Sequence, residues 1–271
     1  MDRELRASLE TYEDWLAWRE TVPQIFDQEF IDSLVRQGLN HGITSAFLGR
    51  VEPGEMSATP PSYRETYFAR GLRPRERALL ELLIEETRTD TQARIYAPEA
   101  VTALAAALRA RYPRFQGSEF AAGAEAKRRL HPVVVEDLCA LSFPEASFDL
   151  VIASDVLEHV PDLGRALGEM ARILRPGGVA LSTFPFTWEA NGWEKARIVD
   201  GQIHYLAAPE YHGNPVDPEH GSLVFTIPGW DVIPACRQAG FRKAEMIVWA
   251  SASRGIVGNT RATLNVLRAY R

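Results

Sequence analysis

Residues 147–186 read SFDLVIASDVLEHVPDLGRALGEMARILRPGGVALSTFPF, and this stretch decides the fold class. FDLVIA, at 148–153, is a continuous apolar run, which is typical of a strand buried in a parallel sheet. Apolar residues then recur at three- and four-residue spacing as far as Leu174, which predicts an amphipathic helix beginning at Pro161. RPGG at 175–178 is predicted to end this helix, and VALSTFPF to follow it as the next strand.

Polar side chains follow the first of these strands directly. Within six residues of the end of FDLVIA, the chain contains Ser154, Asp155, Glu158 and His159. In an open α/β sheet, ligands bind beyond the carboxyl ends of the strands. The pattern therefore predicts a ligand site at this end of the strand.

The rest of the chain predicts two regions. Residues 1–90 are predicted to form a helical cap or accessory region, with helices over 7–22, 23–39 and 73–87. Residues 91–271 are predicted to form a sheet domain of seven strands with helices between them. The seven predicted strands are 93–97, 115–120, 132–138, 148–153, 179–186, 243–251 and 262–270.

Two phrases of the sequence carry a family resemblance. EDLCALSFPEASFDLVIASDVLEHVPD, at 136–162, and ALGEMARILRPGGVALSTFPF, at 166–186, resemble class I S-adenosylmethionine-dependent methyltransferases of the type 11-like, small-molecule kind. The resemblance implies an α/β, Rossmann-like seven-stranded sheet with an N-terminal helical extension. It also implies S-adenosyl-L-methionine as the cofactor, and methyl transfer to a small-molecule or sugar acceptor in a biosynthetic pathway.

The loop after the first sheet strand departs from the family pattern, which has an acidic residue and then Gly-x-Gly-x-Gly. Here the chain reads YAPEAVTA, at 96–103, without a glycine. In one interpretation, Ala97 and a helix beginning at Pro98 present free backbone N–H groups to the cofactor, and Glu99 faces its positively charged methionine end. In the other, the pocket is narrowed, and the protein has lost or repurposed cofactor binding, as a non-methylating enzyme or a binding partner.

Two acidic residues end the next two predicted strands. Glu119 is placed where a carboxylate accepts hydrogen bonds from both ribose hydroxyls. The resemblance implies that Asp137 accepts from the adenine amino group and that Leu138 packs against the ring. The alternatives are a surface glutamate for Glu119 and a cap or turn residue for Asp137.

The resemblance places the methyl-transfer point beyond the fourth strand. Ser154 and His159 are predicted to contact the cofactor there, with a structural role at the helix entry as the alternative for His159. Asp155 is predicted to be catalytic or to cap the turn. Methyl transfer to a hydroxyl needs a base, and imidazole, with a pKa of about 6.5, suits that task at neutral pH. His212 is the first candidate and His204 the second; both are otherwise ordinary loop histidines.

Composition and residue spacing argue against several classes of binding partner. With 30 Lys and Arg against 36 Asp and Glu, the formal net charge is −6, which argues against a nucleic-acid partner. The sequence shows no leader and no run of eighteen apolar residues, so no membrane partner is expected. Cys139 and Cys236 stand far apart, as in reduced cytoplasmic proteins. No Cys, His and Asp cluster has metal-ligand spacing, so a metal-independent site is predicted. A homodimer is possible.

A nicotinamide-dependent oxidoreductase is the rival function on the same broad architecture. It needs Gly-x-Gly-x-x-Gly after the first strand of the sheet. The chain has no such motif there.

Overall fold

The computed structural model describes residues 4–271, and the chain divides into two compact units. The first unit comprises the chain up to Thr89 together with Glu245–Leu267, and the second comprises Asp90–Ala244 and Arg268–Arg271. The sequence predicts one sheet domain over 91–271, which includes Glu245–Leu267. Backbone hydrogen bonds join this segment to the N-terminal part of the first unit, as in Ala262 N–H to Ile25 O at 2.7 Å.

The first unit begins with a strand, where the sequence predicted a helix over 7–22. Glu4–Leu9 pairs antiparallel with Lys243–Ser251, and the helix begins only after Thr11, whose hydroxyl accepts from Asp14 N–H at 3.0 Å. The elements up to residue 89 are β1 (Glu4–Leu9), α1 (Tyr12–Thr21), α2 (Gln28–His41), β2 (Ile43–Ser45), β3 (Gly49–Val51), β4 (Met56–Ser57), α3 (Tyr63–Thr66), β5 (Phe68–Ala69) and α4 (Pro74–Thr87), with 3-10 helices at Pro23–Phe26 and Pro53–Glu55. The helix predicted over 73–87 is confirmed as α4.

The second unit contains the parallel α/β layer that the sequence predicts. Its first elements are β6 (Ile95–Ala97), α5 (Ala103–Arg111), β7 (Phe115–Glu119), α6 (Ala124–Leu130), β8 (Val134–Val135), β9 (Phe148–Ser154), a 3-10 helix (Leu157–His159), α7 (Leu163–Ile173) and β10 (Leu174–Thr183). Within this unit the strand order is β10-β9-β6-β7-β8, and each neighbouring pair is parallel. The carboxyl ends of these strands therefore meet at one edge, where ligands bind in such sheets.

Short strand pairs fill the segment after β10. The remaining elements are β11 (Trp193–Glu194), β12 (Ala196–Val199), β13 (Gln202–Tyr205), β14 (Tyr211–His212), β15 (Ser222–Leu223), β16 (Thr226–Ile227), α8 (Val232–Gln238), β17 (Lys243–Ser251) and β18 (Leu264–Tyr270). Within the described residues, 4–271, the main sheet has eight strands, one more than predicted, because β1 was not expected. The α/β fold class is confirmed. No helix within residues 4–271 is long and apolar enough to cross a membrane.

Hydrophobic burial explains β9 and α7. Five of the seven residues of β9 are buried, and α7 buries a stripe of Ala166, Leu167, Met170, Ala171 and Ile173. The helix begins at Leu163 rather than at Pro161, because Asp162 caps it by accepting from Arg165 N–H at 2.9 Å. The RPGG turn is absorbed into β10 as an irregularity of the β9–β10 register between Leu174 and Val179.

Asp149 links the segment before β6 to β9 and β10. Its carboxylate accepts from Arg94 N–H at 2.7 Å and from the guanidinium groups of Arg94 and Arg175. Burial by itself raises the pKa of this carboxyl, but the hydrogen bonds from Arg94 and Arg175 outweigh burial and lower it below 3.8. A carboxylate with a lowered folded-state pKa stabilises the protein above its unfolded-state pKa, and the contribution is lost as pH falls through the folded-state value.

We therefore expect Asp149→Asn to be less stable than the wild type at neutral pH. The difference in unfolding free energy should shrink as the pH falls below about 3.8. Urea unfolding followed by circular dichroism at several pH values measures it. A difference that stays constant down to about pH 2.5 contradicts the role given to this carboxylate.

Candidate functional site

The loop after β6 takes the place of the expected glycine-rich turn. Helix α5 begins at Ala103, not at Pro98, because Thr102 is a better cap: its hydroxyl accepts from Ala105 N–H at 3.1 Å. The expectation that a helix beginning at Pro98 presents its free N–H groups is therefore wrong. Ala97 is the last, buried residue of β6, and Pro98 starts an irregular loop.

Two carboxylates bind this loop from within the protein. Buried Glu99 accepts from Ser154 N–H at 3.3 Å and from the Thr102 hydroxyl at 2.5 Å. Glu119, at the end of β7, accepts at one oxygen, Oε1, from the backbone N–H groups of Ala100 at 2.8 Å and Val101 at 3.1 Å. Glu119 was predicted to bind ribose, but its Oε1 holds the loop, so a ribose hydroxyl would have to use Oε2.

The close backbone approach expected of the loop occurs instead on the neighbouring strand. A Cβ added to Gly117 of β7 would lie 2.7 Å from Glu99 O and 3.1 Å from Ala100 Cα. Only glycine allows the loop to come this near to β7. The glycine that permits a close backbone approach is therefore Gly117 of β7 and not a residue of the loop. The sequence pattern gave no signal for this role.

A cleft of about 640 Å³ opens beside the end of β8. Asp137 is exposed and lines it, and its Oδ1 also accepts from Cys139 N–H at 2.8 Å, as in a turn. Leu138, next to it, is buried. Four carboxylates and a single guanidinium are among the groups that line the cleft: Asp137, Asp162, Glu194, Asp231 and Arg165.

The end of β9 is joined to β10 by side chains. The hydroxyls of Ser154 and Thr183 lie 3.4 Å apart, and Thr183 donates to Asp155 Oδ1 at 3.1 Å. Asp155 has a φ of 54°, a left-handed conformation that is uncommon outside glycine. This strained geometry, at the edge where ligands bind, is typical of functional residues. Whether Asp155 is catalytic stays a prediction.

Three polar side chains converge just beyond Asp155, and we call them the Glu158 cluster: Glu158, His159 and His212. Glu158 Oε1 lies 3.6 Å from His159 Nε2 and 3.6 Å from His212 Nδ1, and the rings of the two histidines meet edge to face at 5.0 Å. Burial raises the pKa of Glu158, and the proximity of its carboxylate raises the pKa of His212.

Local pairing builds this cluster. Phe225 N–H donates to Glu158 O at 2.7 Å, and His159 Nδ1 lies 2.9 Å from Leu223 O, so the 3-10 helix is fastened to the segment around β15. β15 in turn pairs with β14, with His212 opposite Ser222. The sequence predicted Glu158, His159 and His212 near the site but did not predict that they meet.

His204 is not part of this arrangement. It lies on β13, exposed to solvent and opposite Arg197 of β12. Among residues 4–271, the histidine brought to the Glu158 cluster from the segment after β10 is His212. The structure therefore favours His212 over His204 as the residue that faces the site.

Comparison with known proteins identifies this part of the chain. The family described as "Methyltransferase domain" matches residues 93–182, which run from just before β6 almost to the end of β10. Residues 93–182 thus match a methyltransferase domain. The predicted family is thereby confirmed for this segment, and the methyltransferase domain contains Glu99, Glu119, Asp137, Asp155 and Glu158.

Curated relatives resemble the methyltransferase domain over about a third of the chain. An uncharacterized methyltransferase of Mycobacterium sp. (strain KMS) is 34% identical over 99 residues, which cover 34% of this chain and 38% of the relative. The 27-O-demethylrifamycin SV methyltransferase of Amycolatopsis mediterranei (strain S699) is 33% identical over 106 residues, covering 35% of this chain and 39% of the relative. The match thus spans well under half the length of these relatives.

Solved structures resemble the protein at lower identity. The 1,6-didemethyltoxoflavin-N1-methyltransferase of Burkholderia thailandensis is 17% identical, with a TM-score of 0.42, and the match covers 73% of this chain and 78% of the other. An S-adenosylmethionine-dependent methyltransferase of Mesorhizobium loti is 16% identical, with a TM-score of 0.40, covering 66% of this chain and 91% of the other.

Proposed function

We propose that the protein transfers a methyl group from S-adenosyl-L-methionine to a small-molecule or sugar acceptor. The observation that carries the proposal is the match of residues 93–182 to the methyltransferase domain, since this segment supplies the strand ends where Asp137 and Asp155 lie. The named relative that acts on a rifamycin supports a small-molecule acceptor and a biosynthetic role.

The cleft beside β8 suits this cofactor. Its volume of about 640 Å³ lies within the range of roughly 300–1,000 Å³ that small-molecule and cofactor pockets occupy. Its lining is predominantly anionic, which attracts a donor that carries a sulfonium and an ammonium group. When bound, the cofactor supplies a methyl group already activated by positive sulfur.

The protein's own residues then bind the cofactor and orient the acceptor. Asp137 keeps Oδ2 for the adenine amino group while its Oδ1 holds the turn. At the end of β9, two groups are positioned to accept the proton of a hydroxyl acceptor, the Asp155 carboxylate and the lone pair at His212 Nδ1. Ser154 and His159 stay proposed neighbours of the methyl-transfer point, and Leu138 of the adenine ring.

Titration calorimetry with S-adenosylmethionine and S-adenosylhomocysteine tests the proposal. We expect saturable binding to the wild type and about 10- to 100-fold weaker binding to Asp137→Asn, because a hydrogen bond to a charged acceptor contributes about 1.5–3 kcal/mol. Asparagine retains the turn acceptor for Cys139 N–H, so the fold is kept. Glu125→Gln, an exposed change on α6, is the matched control. Equal binding by Asp137→Asn contradicts the assignment of Asp137.

A second candidate function has its own observation. The carboxylates of Glu99 and Glu119 already bind groups of the protein, so the first loop is held without a cofactor. This geometry favours a protein with the methyltransferase fold that has lost or repurposed cofactor binding. The same calorimetry separates the two, since wild-type protein that binds neither compound at millimolar concentration supports the second candidate.

We further propose that the protein acts in the cytoplasm without a nucleic-acid or membrane partner. The two free, buried thiols, Cys139 and Cys236, support a reducing compartment. The net charge of −6 supports the absence of a nucleic-acid partner.

A further inference from the structure

The Glu158 cluster brings together one carboxylate oxygen and two imidazole nitrogens, each of which can act as a metal ligand. His159 Nδ1 lies 2.9 Å from Leu223 O, and because a carbonyl only accepts, Nδ1 must carry the hydrogen. His212 Nε2 likewise donates to Glu210 Oε1 at 3.1 Å. In the neutral rings, the lone pairs at His159 Nε2 and His212 Nδ1 are therefore the ones that face Glu158.

The carboxylate between these lone pairs is buried. The side chain of Glu158 is 0% exposed, and neither of its oxygens has a hydrogen-bond partner among residues 4–271. The 3.6 Å separations to the two imidazoles are too long for hydrogen bonds. A buried carboxylate without donors is costly unless a cation compensates it.

The spacing fits a metal ion. The three ligand atoms all lie within 4.8 Å of one another. A tetrahedral zinc ion with bonds of about 2.0–2.1 Å separates its ligands by about 3.3 Å, close to the two distances of 3.6 Å. Two histidines and one glutamate are a ligand set of catalytic zinc sites, which keep the fourth position open.

The outer contacts also match those of a metal site. Histidines that bind metals usually donate their other ring N–H to a backbone carbonyl or a carboxylate, which fixes the tautomer. His159 does this with Leu223 O, and His212 with Glu210, whose own carboxylate is held by Lys195.

We propose that Glu158, His159 and His212 bind one divalent transition-metal ion, of which zinc and its spectroscopic substitute cobalt are the expected occupants. The sequence predicted a metal-independent site because no such cluster was visible in the residue spacing; the three ligands come together only through the pairing of β14 with β15. Metal binding itself does not depend on the proposed methyl transfer.

A consequence for catalysis rests on the proposed function. With an ion bound, His212 Nδ1 is a ligand and no longer a base. An acceptor hydroxyl that fills the open position would lose its proton more readily, because a bound cation lowers the pKa of its ligand. The residues available to receive that proton then include Asp155, whose carboxylate lies at the end of β9 beside Thr183.

The test uses the full chain, freed of metal by dialysis against a chelator. Titration with Zn²⁺ by calorimetry, and with Co²⁺ by visible absorption, is expected to show one saturable site per chain and a cobalt spectrum distinct from that of the aquo ion. His212→Ala should abolish this site. Glu210→Gln changes the outer contact to His212 and the ion pair with Lys195 but none of the three ligands, and should weaken zinc binding by about 10-fold.

His220→Ala is the matched control. His220 also pairs with a carboxylate, Asp217 at 2.9 Å, and lies in the same segment, but is exposed and outside the Glu158 cluster. We expect this variant to bind zinc as the wild type does.

Wild-type protein without saturable Zn²⁺ or Co²⁺ binding would show that a proton alone compensates Glu158, and would overturn the proposal. Undiminished binding by a folded His212→Ala would overturn it as well. The wild-type titration decides even if a variant fails to fold. Calorimetry of the wild type with S-adenosylmethionine is a separate measurement, so the metal proposal and the proposed function can fail independently.

Discussion

Arg77→Met is expected to lower the free energy of unfolding by about 3–5 kcal/mol. Arg77 lies in α4 and is 0% exposed. Its guanidinium donates to three backbone carbonyls, those of Tyr67, Leu72 and Gly255, and lies 4.8 Å from the centre of the Tyr67 ring. Burial lowers its pKa to about 10, so the group is still charged at neutral pH.

The magnitude follows from what the substitution leaves behind. Methionine fills most of the volume but donates no hydrogen bond. The carbonyls of Tyr67 and Gly255 lose the Arg77 donor at about 1–3 kcal/mol each, while Leu72 O keeps the Ala69 N–H at 3.0 Å. Relief of the buried charge offsets part of that loss. Gly255 lies 178 residues from Arg77, so the bond to it also ties the Glu245–Leu267 segment to α4 within the first unit.

Urea unfolding monitored by tryptophan fluorescence measures this effect. Arg36→Ala is the matched control, because Arg36 forms an exposed ion pair with Glu29 on α2, and such pairs contribute at most about 1 kcal/mol. An unfolding midpoint of Arg77→Met equal to that of Arg36→Ala would show that the carbonyls of Tyr67 and Gly255 find other donors.

The elements that sequence reasoning predicted well are those whose apolar pattern is local. The FDLVIA run became β9, and the apolar stripe after Asp162 became α7, because both patterns describe burial directly. β1 was mistaken for a helix because its identity comes from pairing with β17, more than 230 residues later. Trp249 Nε1–H donates to Glu4 Oε1 at 2.8 Å across that pair, a contact without any local signal.

The sequence could predict which strand ends form the site, but it could not predict which side chains meet there. Asp137 and Ser154 lie where parallel strands end, which the strand pattern alone indicates. The meeting of His212 with Glu158 depends on the β14–β15 pair and on the bond from Phe225 N–H to Glu158 O. Likewise, the sequence offered both Pro98 and Thr102 as residues at which α5 could begin. The hydrogen bond from Ala105 N–H to the Thr102 hydroxyl shows that Thr102 is the cap.

Glu119→Ala is the second substitution with a large expected effect, a loss of about 2–3 kcal/mol in the free energy of unfolding. Glu119 is 9% exposed, and its Oε1 accepts both the Ala100 and the Val101 N–H. Alanine leaves these two donors of the loop without that acceptor. Because the loop crosses β7 at Gly117, where no Cβ fits, it has little room to find another arrangement.

Glu119→Gln separates support of the loop from binding of ribose. Glutamine keeps an oxygen for the two N–H groups but removes the charge, so its stability should fall by only about 1 kcal/mol. If Glu119 serves chiefly to hold the loop, S-adenosylhomocysteine affinity measured by calorimetry should change little in Glu119→Gln and fall strongly in Glu119→Ala. Glu125→Ala, exposed on α6, controls for the loss of a carboxylate and should stay within about 0.5 kcal/mol of the wild type. Unchanged stability of Glu119→Ala would mean that the loop is held by Glu99 and Gly117 alone, and that the Glu119 carboxylate is free to serve the nucleoside.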